Sequence, residues 1–290
     1  MLRMNWKALS VLASLLVITF CIHAMGKEMG ASSKEKAVSE VIIEAKWGSG
    51  PGECGLYIGK GEGDLTSGPV SFTIDSRGYI YIVDWVNSRI NIYDREGGLV
   101  KSIPADDIGD IAVAEDGKIY ADAGDADGNP LLWGGPQPYF FELEFEDSTC
   151  KLIQREGRLG YGGGIQSWSW DIDKSESKMT LYNLTASKSV SISLPGEGFM
   201  AFIDCDKNKN FFFSRYFPST KISKGYTRVY KYDKRGKLID SIDLLHHIYQ
   251  YPGGSGDVIR EITLEAEGNI YCPEVTYEGF KIRKYYFPKE

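Results

Sequence analysis

The chain is poor in histidine, in closely spaced cysteines and in clustered positive charge, and each shortage narrows what it can do. Three histidines occur in 290 residues, and two of them, His246 and His247, are neighbours. Adjacent side chains on a strand point to opposite faces, so this pair would not chelate one ion together. General-base work near neutral pH falls most often to histidine, and the shortage argues against ordinary acid–base catalysis. No G-x-S-x-G elbow, H-E-x-x-H helix or Gly-rich phosphate loop is present. The cysteines number five, at spacings far from C-x-x-C, so a zinc cage is not expected. Lysine and arginine total 33 against 40 acids, a net charge of −7, with no basic cluster. Phosphate backbones bind such a surface poorly, and nucleic acid is not an expected partner.

Long apolar runs are missing as well, with one exception at the N-terminus. Arg3 and Lys7 precede a run from Ala8 to Ile22 that is almost free of strongly polar groups, followed by Ala24-Met25-Gly26. Small residues at the −3 and −1 positions after such a run define a secretory signal peptide, expected here over 1–26. The run falls short of the roughly 20 residues that span a bilayer. A retained N-terminal membrane tether is therefore the lesser expectation, and no transmembrane span should remain after cleavage. Cys21 would be the lipidated residue of a lipoprotein, but Phe20 stands where a small residue belongs. Residues 27–39 are polar and small, a flexible leader. Cleavage would remove two positive charges and no acid, taking the net charge to −9. The expected location is secreted or periplasmic. Cys54, Cys150, Cys205 and Cys272 remain, an even count that permits disulfides in an exported protein, with Cys54 and Cys272 the candidate residues.

What the chain has in abundance is one repeated grammar. Phe72 to Ile103 contains three short β-type runs separated by D-S-R-G, D-W-V-N-S and D-R-E-G-G. Ile80 and Ile82, then Ile90 and Ile92, recur at period two, so each run has a face able to enter a core. The turn residues supply the positive φ and Asx conformations that hairpins need. A second copy begins at Asp110, a compressed third spans SWSWDID, KMTLYNL and SVSISL, and a fourth starts at AFIDCDKNKN. The fifth, EITLEAEGNIYCPEVTYEGFKIRKYYF, stops after three strands. Glu40 to Trp47, EVIIEAKW, is a lone strand with no local partner, and it can supply the missing fourth. Repetition with a donated closing strand predicts an all-β fold, a β-propeller of one domain over 40–290, closed by its N-terminal strand. A β-sandwich also has many short strands, but it does not repeat one turn at one place in each unit.

The run GPVSFTIDSRGYIYIVDWVNSRINIYDREGGLVKSI, with the preceding WGSGPGECGL, resembles bacterial propellers built from NHL-type repeats. The likeness is specific over 47–104 and fades in later copies. Such propellers are commonly six-bladed, whereas five copies are legible here, so five or six blades are expected.

Aligning the copies on the turn before their second strand puts Tyr81, Tyr120, Thr180, Phe212 and Tyr271 in one register. Three residues later stand Asp84, Ala123, Asn183, Arg215 and Glu274. A ring of unlike polar groups, Asp84, Asn183, Arg215 and Glu274, nominates a ligand-binding rim at the channel mouth. For Asp84, Asn87 and Arg89 the D-x-x-N-x-R spacing also suits an Asx turn with an ion pair across it, the favoured reading of Asp84 and Arg89. Trp85 and Trp133 lie in loops and could stack on sugars or peptide side chains, while Trp168 and Trp170 share one strand face as core residues would. Asp125 and Asp127, and Asp204 and Asp206, place oxygens at alternate positions as Ca²⁺ requires. Neither run has the closing glutamate of an EF-hand, and Lys207 and Lys209 oppose a divalent ion, so hairpin turns are favoured and no cofactor is expected.

Relatives of NHL propellers include metal-assisted lyases and lactonases, which makes an extracytoplasmic enzyme the alternative, with carboxylates Asp84, Asp122 or Glu274 as its ligands. Without a catalytic set in view, the expected role is a binding module or scaffold that engages a peptide, glycan or protein at the channel face. Fold analogy alone carries that step.

Overall fold

Carboxylate turns build this fold one hairpin at a time. In the computed structural model the residues described are 38–60, 66–106, 108–113, 117–123, 139–146, 149–156, 168–173, 178–183, 188–193, 200–218, 226–244, 256–257 and 262–287. The expected signal peptide, most of the expected leader, Trp133, Asp125, Asp127, His246 and His247 lie outside them. Asp75 accepts the backbone N–H groups of Arg77 and Tyr79 at 2.9 Å each. Asp94, Asp206 and Asp233 repeat the device, each capturing the N–H groups two and four residues on. A side chain that ties up two turn donors replaces water there and fixes where each strand reverses.

The strands so produced are β1 (Val38–Lys46), β2 (Thr66–Ser67), then β3 (Ser71–Ile74), β4 (Ile80–Asp84), β5 (Arg89–Tyr93) and β6 (Leu99–Pro104) of a first sheet. A second sheet holds β7 (Ile108–Val113), β8 (Ile119–Ala123), β9 (Tyr139–Glu146) and β10 (Thr149–Glu156). The third has β11 (Trp168–Asp173), β12 (Lys178–Asn183) and β13 (Lys188–Ser193), and the fourth β14 (Ala201–Cys205), β15 (Phe211–Phe217), β16 (Tyr226–Tyr232) and β17 (Leu238–Leu244). After β18 (Gly256–Asp257), which pairs in parallel with β2, come β19 (Thr263–Leu264), β20 (Ile270–Val275) and β21 (Gly279–Tyr286). Sheets one to four are antiparallel meanders in chain order. The fifth has the order β1-β21-β20-β19, so the strand expected from EVIIEAKW does complete the last sheet, beginning two residues early at Val38. The described residues contain no α-helix, and none has a helix long and apolar enough to cross a membrane.

Burial ties these sheets to one another. Ile80 and Ile82 of β4 join β1, Tyr271, Phe280 and Ile282 in a core between the first and fifth sheets. Tyr81 and Val83 of the same strand join Ile111, Ala121 and Leu143 in a core between the first and second. The third and fourth sheets share Met179, Leu181, Ile192 and Phe213, and the fourth and fifth share Phe212, Val229, Ile270 and Cys272. Strand β3 lies against β7 and β19, and β14 against β19. A central strand is thus buried on both faces, which explains why it reads as continuously apolar.

The turns also make the junctions. Gly97, in the D-R-E-G-G turn between β5 and β6, has φ +86° and sits on the carbonyl group of Ile42 in β1. Gly236, in the D-K-R-G-K turn of the fourth sheet, sits in the same way on Ser191 of β13. Their missing Cβ lets one sheet's turn touch the backbone of the sheet before it.

Candidate functional site

The predicted register falls on the second strand of every sheet. Tyr81, Tyr120, Thr180, Phe212 and Tyr271 lie in β4, β8, β12, β15 and β20. Asp84, Ala123 and Asn183 close their strands, Glu274 is next to last in β20 and Arg215 is two short of the end of β15. Trp47 donates its indole N–H to the Thr276 carbonyl at 3.0 Å, while Asn87 donates to the Gly48 carbonyl at 2.9 Å. The segment after β1 therefore spans the turn following β20 and the turn following β4, so both turns stand at one end. At the other end the backbone of Lys207 bonds Ala266, bringing the β14–β15 and β19–β20 turns together. Sheets four, five and one thus present their second-strand ends on a common side.

Asp84 is on that side but not on its surface. Its side chain is fully buried, and its carboxylate accepts from the Gly55 N–H at 2.8 Å, Asn87 Nδ2 at 2.8 Å and Arg89 Nε at 2.9 Å. Arg89 reaches on to the carbonyls of Ser49, Gly50 and Glu53. The ion pair inferred from D-x-x-N-x-R is present, whereas the Asx cap is not: Asp84 makes no side-chain bond to the backbone of the following 3-10 turn. This corrects the assignment of Asp84 to a ligand rim. Its charge is needed inside, to hold the 48–55 loop on the first sheet. Glu274 is likewise engaged, 3.1 Å from Arg283, with both side chains mostly buried. Arg215 stays half-buried, its guanidinium 4.9 Å from the Phe217 ring. Asn183 ends β12, and its side chain lies outside those described.

The disulfide candidates are not joined, and the acids weighed as calcium ligands at 204 and 206 are engaged by neighbouring groups. Cys54 and Cys272 are free, buried thiols, the first in the core between sheets one and five, the second in the core between four and five. Burial pushes both thiols well above their usual range, so neither is a reactive thiolate. Iodoacetamide should leave Cys54 and Cys272 unmodified in the native protein and alkylate both in denaturant without reductant, as peptide mass mapping would show. Asp206 spends its oxygens on Asn208 and Asn210, and Asp204 bonds the Cys205 N–H. Among the described residues no cluster of three or more His, Cys, Asp or Glu could hold a metal ion.

What the second-strand end does expose is aromatic. Four aromatic residues of the described set are largely exposed: Tyr57 (46%), Trp85 (45%), Tyr216 (64%) and Tyr277 (62%). Trp85 opens the turn after β4, Tyr277 lies in the turn after β20, and Tyr216 is next to last in β15. Tyr57 pairs by backbone with Ser67, two residues after Gly55 bonds Asp84. Of these only Trp85 was marked by its sequence; the tyrosines sit in runs that read as ordinary strand or turn. At the opposite end the turns carry mixed charge, including Arg77, Lys207 and Glu267. Large apolar side chains exposed elsewhere among the described residues, Val38, Val41, Val100, Leu238 and Ile239, belong to the outer strands β1, β6 and β17.

No family model and no curated protein matches this chain. Solved structures to which it is similar include hydrazine synthase from Kuenenia stuttgartiensis, 12% identical over 75% of this chain and 59% of that one, with a TM-score of 0.31. Virginiamycin B lyase from Staphylococcus aureus is 13% identical over 76% and 70%, at 0.25. BamB from Moraxella catarrhalis is 10% identical over 88% and 99%, at 0.25. The chain spans 59% of the hydrazine synthase chain and 66% of a streptogramin B lyase. These neighbours are β-propeller proteins. At such scores the likeness carries neither a family nor an activity, and the fold description rests on the sheets themselves.

Proposed function

We propose that this chain is an exported β-propeller of five blades, closed by β1, that binds a ligand or partner protein on the end where its second strands terminate. The five-blade reading is supported by five sheets of like topology, by cores that join the first to the second, the third to the fourth and the fourth to the fifth, and by a fifth sheet that touches both the fourth and the first. Export is supported by Arg3, Lys7 and the apolar run to Ile22 ahead of Ala24-Met25-Gly26. The binding reading is carried by one observation: the four exposed aromatics of the described residues gather at one end, while the other end carries charged turns. Tyrosine and tryptophan supply large contact areas at small entropic cost and are enriched where proteins meet ligands and partners.

The test compares two pairs of substitutions in the mature chain, screened against arrayed oligosaccharides and peptides. Trp85→Ala with Tyr277→Ala should abolish capture without changing the melting temperature, and Val100→Ala with Leu238→Ala should leave capture intact. The reverse pattern would move the site to the outer strands and end this reading. Elemental analysis of the purified protein should find no stoichiometric metal; one tightly held Ca²⁺ or Zn²⁺ would favour a metal-assisted enzyme instead.

A further inference from the structure

The end opposite the exposed aromatics collects the turns that open with an acid, and on the fourth sheet it carries more cations than anions. The β14–β15 turn holds Lys207 and Lys209, and the β16–β17 turn holds Lys234, Arg235 and Lys237, all five exposed. The acids of these turns are committed to the backbone. Asp206 is buried and accepts from the N–H groups of Asn208 and Asn210 and from Asn210 Nδ2. Asp233 accepts from the N–H groups of Lys237 and Arg235, bonds that hold its carboxyl below the usual range and keep it ionised. Lys207 is spent on Glu267, 3.1 Å away in the neighbouring β19–β20 turn. Lys209, Lys234, Arg235 and Lys237 form no ion pair with a carboxylate among the described residues. Counting Asp206, Asp233 and Glu267 against the five cations leaves this corner at +2 in a chain whose net charge is −7. Elsewhere at this end the charges are paired, Arg77 with Asp75, Arg95 with Glu96 and Glu265 with Lys284.

The same end receives the chain. Val38, the first residue of β1, pairs with Tyr286, whereas Lys46 pairs with Gly279 beside the turn after β20. Whatever precedes Val38 therefore joins the sheets at the acid-turn end, away from Trp85 and Tyr277. A chain held by the apolar run Ala8 to Ile22 is held by that end.

We propose that the turn corner of the fourth sheet docks on an anionic lipid surface, with the aromatic end turned away from the bilayer. Three of the four unpaired cations are lysines, point charges on flexible stems that meet a headgroup layer without needing one planar ligand. An acidic protein would offer the same charge, but the apolar run that enters at this end favours a membrane. The proposal is independent of what the aromatic end binds.

The experiment is sedimentation of the mature chain with vesicles of phosphatidylcholine alone and of equal parts phosphatidylcholine and phosphatidylglycerol, with polyglutamate as competitor. The mixed vesicles should bind, more weakly as salt rises, and the neutral vesicles should not. A cation near a charged bilayer contributes about fivefold in affinity, so Lys234→Gln with Arg235→Gln should weaken binding by roughly 25-fold at an unchanged melting temperature. Arg95→Gln, at a cation already paired with Glu96, should change it little. Trp85→Ala with Tyr277→Ala should leave vesicle binding intact. Failure on mixed vesicles, equal binding to neutral ones, or indifference to Lys234→Gln with Arg235→Gln overturns the proposal. Displacement of the vesicles by polyglutamate would assign the corner to an acidic protein, and loss of vesicle binding in the aromatic pair would turn the other end to the bilayer; either overturns it too. The Lys234→Gln, Arg235→Gln chain should keep whatever capture the aromatic end makes, so the two readings fail separately.

Discussion

Arg89→Ala should lower the free energy of unfolding by about 3–5 kcal/mol, the range found when one partner of a buried ion pair is removed. For a chain of this size that is a fall in Tm of roughly 6–20 °C. The reason lies in what is left behind. Asp84 is fully buried, and without Arg89 its carboxylate keeps only neutral donors, the Gly55 N–H, Asn87 Nδ2 and the longer contact from Asn91 Nδ2. The carbonyls of Ser49, Gly50 and Glu53 lose a charged donor in the same stroke. Adding Asp84→Asn should recover part of the loss, because the orphaned charge then disappears, and the two changes should couple by more than about 0.5 kcal/mol. Arg89→Lys should rescue poorly, since one ammonium cannot span a carboxylate and three carbonyls. Lys207→Ala is the control: it and its partner Glu267 are both exposed, 59% and 56%, and surface pairs contribute about 0–1 kcal/mol. Urea melts showing equal costs for Lys207→Ala and Arg89→Ala would falsify the buried-staple account.

Gly97→Ala should be the other severe substitution. Its φ of +86° carries a penalty of about 1–2 kcal/mol for any L side chain. The new methyl would also meet the Ile42 carbonyl, whose carbon lies 2.9 Å from the Cβ position and cannot rotate away as a side chain could. Overpacking of that kind costs about 1–3 kcal/mol more. Gly117→Ala separates the two contributions, because Gly117 has φ +83° with nothing within 4 Å of an added Cβ. It should lose only the conformational part. Gly236→Ala, whose methyl would stand 2.6 Å from the Ser191 carbonyl oxygen, should behave like Gly97→Ala. If denaturant midpoints show Gly97→Ala and Gly117→Ala to be alike, the turn does not bear on β1 as described.

Much of the fold was legible because its determinants are local. An acid at the start of a turn and a residue of positive φ near its end, glycine at 78, 97, 236 and 268 and Lys209 after Asp206, determine these reversals without reference to the rest of the chain, and five copies could be counted from them. The donated strand was legible by elimination, since EVIIEAKW had nothing nearby to pair with. Alternation was read only half correctly. Ile80 and Ile82 do face one core, but Tyr81 and Val83 face another, because β4 is covered on both sides. Asp84 looked like a rim residue for want of a long-range fact. Its burial depends on Gly55, and Gly55 is placed by a strand that pairs with the far end of the chain. The even number of cysteines after residue 26 likewise hid that Cys54 and Cys272 belong to different cores. The tyrosines at 216 and 277 gave no local signal, since exposure at a strand end is a property of the assembled sheets.

The pairing of Val38 with Tyr286 sets a timetable as well as a shape. The first four meander sheets can form from neighbouring hairpins, but the fifth must wait for its two most distant segments to meet, as must the short β2–β18 pair, and closing so large a loop is entropically slow. A ribosome that has not released Tyr286 holds a chain whose first strand has no partner. Completion of the fifth sheet is thereby a late event, one that cannot begin until β21 has been made.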